Sequence, residues 1–252
     1  MLTTTEGIVL RQVKAASGRR ILLIFTREYG KISVGTGLTE RNNRSKAALA
    51  IRPFTYARYD LYKNKDYFDL NSADVLKSYY GLGEDIDKYV AASYLLELTD
   101  KALPEEMPQP KLFSILTDVL AELEQRKSGF ETLLICYEVK LLAEVGLLPV
   151  LDRCARCGAP EPALFSVPDG GMICRDCAKK IEAKTAGTGK GRLILEPGFD
   201  IVKVIDYFLK KPVSAFRKVA LEQSTASQLQ AALREYLSYH MDIGSLKSES
   251  ML

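Results

Sequence analysis

Cys154, Cys157, Cys174 and Cys177 form two CxxC pairs separated by sixteen residues. Two residues between cysteines let both thiolates turn toward one point. Residues 165–167 and 172–173 can form a hairpin, with Pro168, Asp169, Gly170 and Gly171 as its turn, that brings the second pair back to the first. Four sulfurs then complete a tetrahedral site for one structural Zn²⁺. A catalytic zinc keeps a coordination position open for water, and four thiolates leave none. A redox CxxC sits at a helix N-terminus without a second pair beside it. The pattern therefore predicts a fastener and no catalytic residues. The fifth cysteine, Cys136, lies in an apolar helical stretch and reads as a small buried thiol.

A second set of residues has the chemistry of nucleic-acid binding, which needs cations to track phosphates and flat side chains on which bases stack. Arg11, Lys14, Arg19, Arg20, Arg27 and Lys31 fall in or beside predicted strands, and Arg41, Arg44 and Lys46 fall in a polar loop. Tyr56 and Arg58 share the strand face opposite Ala57, Tyr59 and Leu61, where they form a candidate stacking pair. For any one arginine a solvated surface is the commoner role, and tyrosines on strands more often fill sheets. The cluster carries the expectation.

Charge along the chain agrees. The net charge is only +3, yet residues 1–80 hold 14 Lys or Arg against 7 Asp or Glu, and residues 81–150 hold 6 against 13. That asymmetry directs a polyanion to the first third. A hydrophobic fraction of 47% and a charged fraction of 27% in 252 residues suit a folded chain with a real core. The first residues lack the basic flank and apolar run of a signal peptide, and no stretch reaches the roughly 20 apolar residues of a bilayer span, so a cytoplasmic protein without membrane contact is expected.

The elements that must position these residues change character once. Residues 7–13, 20–25, 31–34, 55–62 and 67–70 alternate as strands punctuated by Gly18, Gly30, Gly35 and Gly37, on the scale of a small barrel. From Gly83 the period becomes helical, with Ile86, Val90, Tyr94 and Leu98 on one face. A second helix is expected over 111–126, and a third from an S-x-x-E capping box at Ser128 and Glu131 to a stop at Gly146 and Pro149. These three suggest a bundle. After the knuckle at about 151–180 and a loop over 185–192, helices at 201–209 and 229–237 pack back on it, and residues 244–252 fray.

The run Arg19-Arg20-Ile-Leu-Leu-Ile-Phe-Thr-Arg-Glu-Tyr-Gly30-Lys31, the segment Arg52-Pro-Phe-Thr55, the helix ending Gly146-Leu-Leu-Pro149 and the cysteine pairs resemble, in this order, the bacterial RecO family of recombination mediators. The resemblance implies an α+β multidomain chain: an OB-fold barrel over 1–80, then an α-helical domain over 81–252 with an inserted four-cysteine zinc finger. It implies binding of single- and double-stranded DNA, annealing of complementary strands and, with RecR, loading of recombinase onto DNA coated by single-strand binding protein. No bond is made or broken in that activity. The acidic C-terminal tail of single-strand binding protein is an implied partner, for which Lys203, Lys210, Lys211 and Arg217 are candidate contacts, and RecF is a further one. DNA would place the protein at the nucleoid. The sequence departs from the family in a less basic loop after Gly37 and in a C-terminus without added basic residues. A zinc nuclease is the enzymatic alternative, poorly supplied with ligands because His240 is the only histidine. A protein-interaction scaffold with incidental DNA contact is the other.

Overall fold

Leu2–Lys14 (β1) is a strand long enough to serve two neighbours, and this closes the first sheet on itself. Residues 2–8 pair antiparallel with Tyr56–Lys63 (β4), and residues 7–14 pair with Arg20–Thr26 (β2) across an irregularity between Val9 and Arg11. β2 continues into Gly30–Thr36 (β3), β4 into Phe68–Lys77 (β5), and a short parallel pairing of Val34 and Gly35 with Phe68 and Asp69 completes a closed barrel in the order β1-β2-β3-β5-β4. This is the OB barrel. The computed structural model describes residues 1–14, 20–37, 46–65, 67–185 and 194–248, the side chains at 46–47 and 184–185 excepted.

Inside the barrel lie Val9, Leu22, Ile24, Ile32, Val34, Tyr59, Leu61 and Phe68, with Ala50 and Ile51 at the end of the short helix Lys46–Ala50 (α1) completing the core. The opposite face of β2 is buried too, because Phe25 meets Phe113 edge to face at 5.5 Å. A run such as Leu22-Leu23-Ile24-Phe25 is apolar throughout because both of its faces are covered.

Phe113 belongs to Pro110–Gln125 (α3), which starts with proline at its first position, where a missing N–H costs nothing. Ile86–Ala102 (α2) is capped by Asp85, whose side chain accepts from the backbone N–H groups of Asp87 and Lys88. Ile86, expected on the apolar stripe, is 78% exposed; the buried face starts at Val90. Between the two helices, Glu105 bridges to Lys31 of β3 and the Glu106 N–H donates to the Lys31 carbonyl at 2.8 Å. The approach is close enough that a Cβ on Gly30, which sits at φ +70°, would fall 2.1 Å from the Met107 carbonyl oxygen.

Met1–Phe130 and Leu246–Leu252 form one compact unit and Glu131–Ser245 the other. Compactness thus groups α2 and α3 with the barrel. The tail returns to α2 through Glu97, which accepts from the Lys247 and Ser248 N–H groups at 3.0 Å each and from Ser248 Oγ at 2.7 Å. Leu246 and Ser248 are buried, so the expected fraying does not hold for residues 246–248.

In the second unit Glu131–Glu144 (α4) packs with Ile201–Lys210 (α6) and Gln223–Met241 (α7). The single three-helix bundle expected for α2, α3 and α4 is replaced by this grouping. The capping box at Ser128 is absent as drawn: Gly129 lies at φ +68°, outside the right-handed helix, and α4 starts at Glu131. Its end is as expected. With Gly146 at φ +76°, the Leu147 N–H reaches the Leu142 carbonyl at 2.8 Å and the Gly146 N–H the Ala143 carbonyl at 3.2 Å, a Schellman stop.

Candidate metal centre and nucleic-acid surface

The knuckle is built from two backbone devices. The first CxxC is a turn in which the Gly158 N–H donates to the Cys154 carbonyl at 2.9 Å, with Gly158 at φ +75°, where a side chain would be strained. The second runs from the end of Gly171–Ile173 (β7) into the first turn of Arg175–Thr185 (α5). β7 pairs with Leu164–Ser166 (β6) in the hairpin that the spacing predicts, and Ile194–Leu195 (β8) adds a third strand. Two contacts hold the first turn on the hairpin: the Ala155 N–H donates to the Met172 carbonyl at 2.7 Å, and Arg156 pairs with Asp169 at 2.9 Å.

These devices bring the four Sγ atoms within 4.8 Å of one another, and Cys157 and Cys174 lie 3.8 Å apart. A tetrahedron with metal–sulfur arms of about 2.3 Å has edges of about 3.8 Å, so the cluster has the dimensions of a zinc–thiolate site. Burial works against the Cys154 thiolate, but N–H donation from Cys157, Cys174 and Arg156 outweighs it and brings the thiol down to about 6. Hydrogen bonds to Cys174 and Cys157 push Cys177 up to about 12. The cluster thus has one thiol ready to ionise, Cys154, and one that resists joining it, Cys177, a repulsion that a divalent cation removes. Cys136 is fully buried within α4, and burial raises its thiol to about 12. It is structural.

The basic residues divide by what they already hold. Arg11 gives its Nε to Asp100 at 2.6 Å while 55% of its side chain faces solvent. Lys14 is exposed, and it stands directly across the β1–β2 ladder from Arg20, whose Nη1 donates to Gln12 at 3.1 Å. Arg58 is exposed between Glu6 and Asp74 on the neighbouring strands, an acidic setting. Arg27 lies over the Phe113 ring at 5.1 Å and pairs with Glu6 at 3.4 Å. Two expectations need correction. Lys31 is buried, its ammonium held by Asp100, so no phosphate reaches it. Tyr56 is half-buried, edge to face with Phe113 at 5.8 Å and with its hydroxyl on Glu6, so it does not stack with Arg58 as a free platform. Arg19, Arg41 and Arg44 lie outside the described residues, as does the Lys46 side chain.

The most distinctive run in the sequence, residues 26–31, proves to be a connector. Thr26 Oγ1 donates to the Gly30 carbonyl at 2.8 Å and accepts from the Tyr29 N–H at 3.1 Å, shaping the β2–β3 turn. Glu28 accepts from Thr5, and Tyr29 shares a 2.6 Å hydrogen bond with Thr3. With Arg27 on α3 and Lys31 on α2, the run joins the barrel to its helices. In the second unit, Lys203 pairs with Asp200 at 2.8 Å and Lys210 with Asp206 at 2.7 Å, while Lys211 and Arg217 are exposed. His240, far from any metal role, donates from Nε2 to the Val167 carbonyl at 2.7 Å.

Sequence reasoning missed Asp100, Glu97, Phe54 and Tyr89. Asp100 and Glu97 are acids on a helix whose neighbours carry the apolar signal. Their partners come from β1, β3 and the tail, which no local pattern shows. Tyr89 lies off the apolar stripe, and only its aromatic type marked it.

The class that these features define is a multidomain α+β protein in which an OB barrel precedes a helical unit with a four-cysteine metal knuckle. Residues 1–79 match the family described as Recombination protein O N terminal, and residues 83–250 the family described as Recombination protein O C terminal. The DNA repair protein RecO of Alkaliphilus metalliredigens is 30% identical over 246 residues, covering 96% of this chain and 95% of that protein. That of Bacillus pumilus is 29% identical over 254 residues, covering 100% and 94%. That of Exiguobacterium sibiricum is 36% identical over 179 residues, covering 69% and 70%. The chain belongs to the RecO family of DNA repair proteins. No helix among the described residues is long and apolar enough to cross a membrane.

Proposed function

We propose that this protein binds single- and double-stranded DNA on its barrel, anneals complementary strands and, with RecR, loads recombinase onto DNA coated by single-strand binding protein. The observation that carries the reading is the Lys14–Arg20 pair. Like charges directly opposite on a ladder destabilise it, and a polyanion reverses that cost. Arg11, Lys14, Arg20 and Arg58, with Arg19, Arg41, Arg44 and Lys46, supply the cations. Neutralising phosphates on two strands lowers their repulsion and lets them pair.

The metal in the knuckle is Zn²⁺, structural, held by Cys154, Cys157, Cys174 and Cys177. Its thiolate shell supplies folding energy and no Lewis-acid position for substrate. The tail of single-strand binding protein and RecF are further partners, with Lys203, Lys210, Lys211 and Arg217 as contacts for the tail. Activity on chromosomal DNA places the protein in the cytoplasm at the nucleoid. Annealing of two complementary oligonucleotides, measured with wild type and with Lys14→Glu/Arg20→Glu, tests the reading. Equal annealing rates would refute it.

A further inference from the structure

A cleft of about 690 Å³ opens within the barrel unit, lined by Arg11 of β1, Phe54, Tyr89, Ser93 and Lys101 of α2, and Lys247 of the returning tail. That volume falls in the range of small-ligand sites, about 300–1,000 Å³. Two features show that it is built. Phe54 holds φ +62°, a conformation that an aromatic residue rarely adopts and that persists only where its surroundings impose it. In that conformation its ring meets Tyr89 edge to face with centroids 5.4 Å apart, and Tyr89 remains 48% exposed. Two aromatic rings are thus presented together at an open cleft, where neither is needed to close the core.

The electrostatics of the lining select an anion beside a flat group. Its two carboxylates are committed, Asp100 to Lys31 and Arg11 and Glu97 to the backbone and hydroxyl of the tail. Arg11 spends its Nε on Asp100 while more than half of the side chain stays in solvent, and Lys101 and Lys247 add positive charge. Rings for stacking, cations for phosphate and a hydroxyl at Ser93 for a base edge are the set that an unpaired nucleotide uses. A duplex offers no unstacked base to such a cleft.

We infer that this cleft receives one unstacked base of a single strand, its ring against Tyr89 and Phe54 and its flanking phosphates on Arg11 and Lys101. The inference rests on the DNA-binding reading above and adds to it a site that distinguishes single strands from duplex. Full-length wild type, Tyr89→Ala and Tyr89→Leu are titrated with an oligothymidylate carrying one 2-aminopurine and, separately, with a duplex of the same length. Wild type should quench the probe. Both variants, folded to the same unfolding midpoint, should bind the single strand more weakly by roughly 5- to 100-fold, the span expected for a lost base–aromatic stack, with duplex affinity unchanged. Single-strand affinity unchanged in both variants, or an equal loss for single strand and duplex, would overturn the cleft and leave it to a peptide. Wild type that binds neither DNA would overturn the DNA-binding reading itself, which is a separate outcome.

Discussion

Lys31 Nζ donates to the main-chain carbonyl of Asp100 at 2.5 Å and lies 3.3 Å from its carboxylate, and both side chains are about nine-tenths buried. Asp100 then reaches Arg11 with its other oxygen, so one helix acid ties β1 and β3 to α2. Removing one partner of a buried ion pair costs about 3–5 kcal/mol where the remaining charge is left without compensation; Asp100 keeps Arg11, so the loss of Lys31 should cost less than that. Lys31→Met should therefore lower the urea midpoint and leave the salt slope of DNA binding unaltered, and Lys31→Met/Arg11→Ala should lower the midpoint further. A reduced slope at unchanged stability would return Lys31 to the DNA surface.

The Lys14–Arg20 pair predicts opposite effects on stability and binding. Lys14→Ala relieves repulsion across the ladder and should stabilise the barrel by about 0.2–1 kcal/mol. It should also reduce the slope of log K against log salt for single-stranded DNA by about 0.7, the share of one phosphate. Chemical unfolding and titration at several salt concentrations read the two quantities independently.

Zinc removal is the test of the knuckle. Metal analysis should find one zinc per chain, lost in Cys154→Ser and Cys174→Ser and kept in Cys136→Ser. Structural zinc contributes about 10–16 kcal/mol in small modules, so chelation should unfold residues 151–180 as seen by protease sensitivity. A protein with no zinc, or a Cys174→Ser variant that retains it fully, would contradict the assignment.

Glu97 makes the tail contact depend on pH. Burial works to raise its carboxyl, but hydrogen bonds from the Ser248 N–H, the Ser248 hydroxyl and the Lys247 N–H, with the charge of Lys101, hold it below the ordinary glutamate value. A carboxyl lowered in the folded state stabilises above its unfolded pKa, and the contribution is lost as pH falls through the folded value. Glu97→Gln should release residues 246–248 at neutral pH, detected as faster carboxypeptidase trimming. The difference from wild type should vanish in acid below the usual carboxylate range.

The cysteine spacing was enough to foresee the four-sulfur cluster, because CxxC geometry is local and the Pro168–Gly171 turn dictates the hairpin between the pairs. The barrel was legible for a similar reason: alternation at Ile32 and Val34 or at Tyr59 and Leu61 is a property of neighbours along one strand. Residues whose role depends on distant partners were not legible. Lys31 and Tyr56 read as surface groups because Asp100, Glu6 and Phe113 stand far away in sequence. The end of β5 at Lys77 was missed because Asn71, Ser72 and Asp74 lack the apolar alternation of a strand with a covered face.

The short pairing of β3 with β5 at Val34 and Gly35 leaves the first half of β3 with a free edge, and the bridge at Glu105 occupies it. Pro104 and Pro108 flank that bridge and have no N–H to extend it, and Glu105 and Glu106 charge the rim. A second barrel that approached edge to edge would meet a sealed border and two carboxylates. The segment that joins α2 to α3 therefore also shields this edge of the barrel from pairing with another strand.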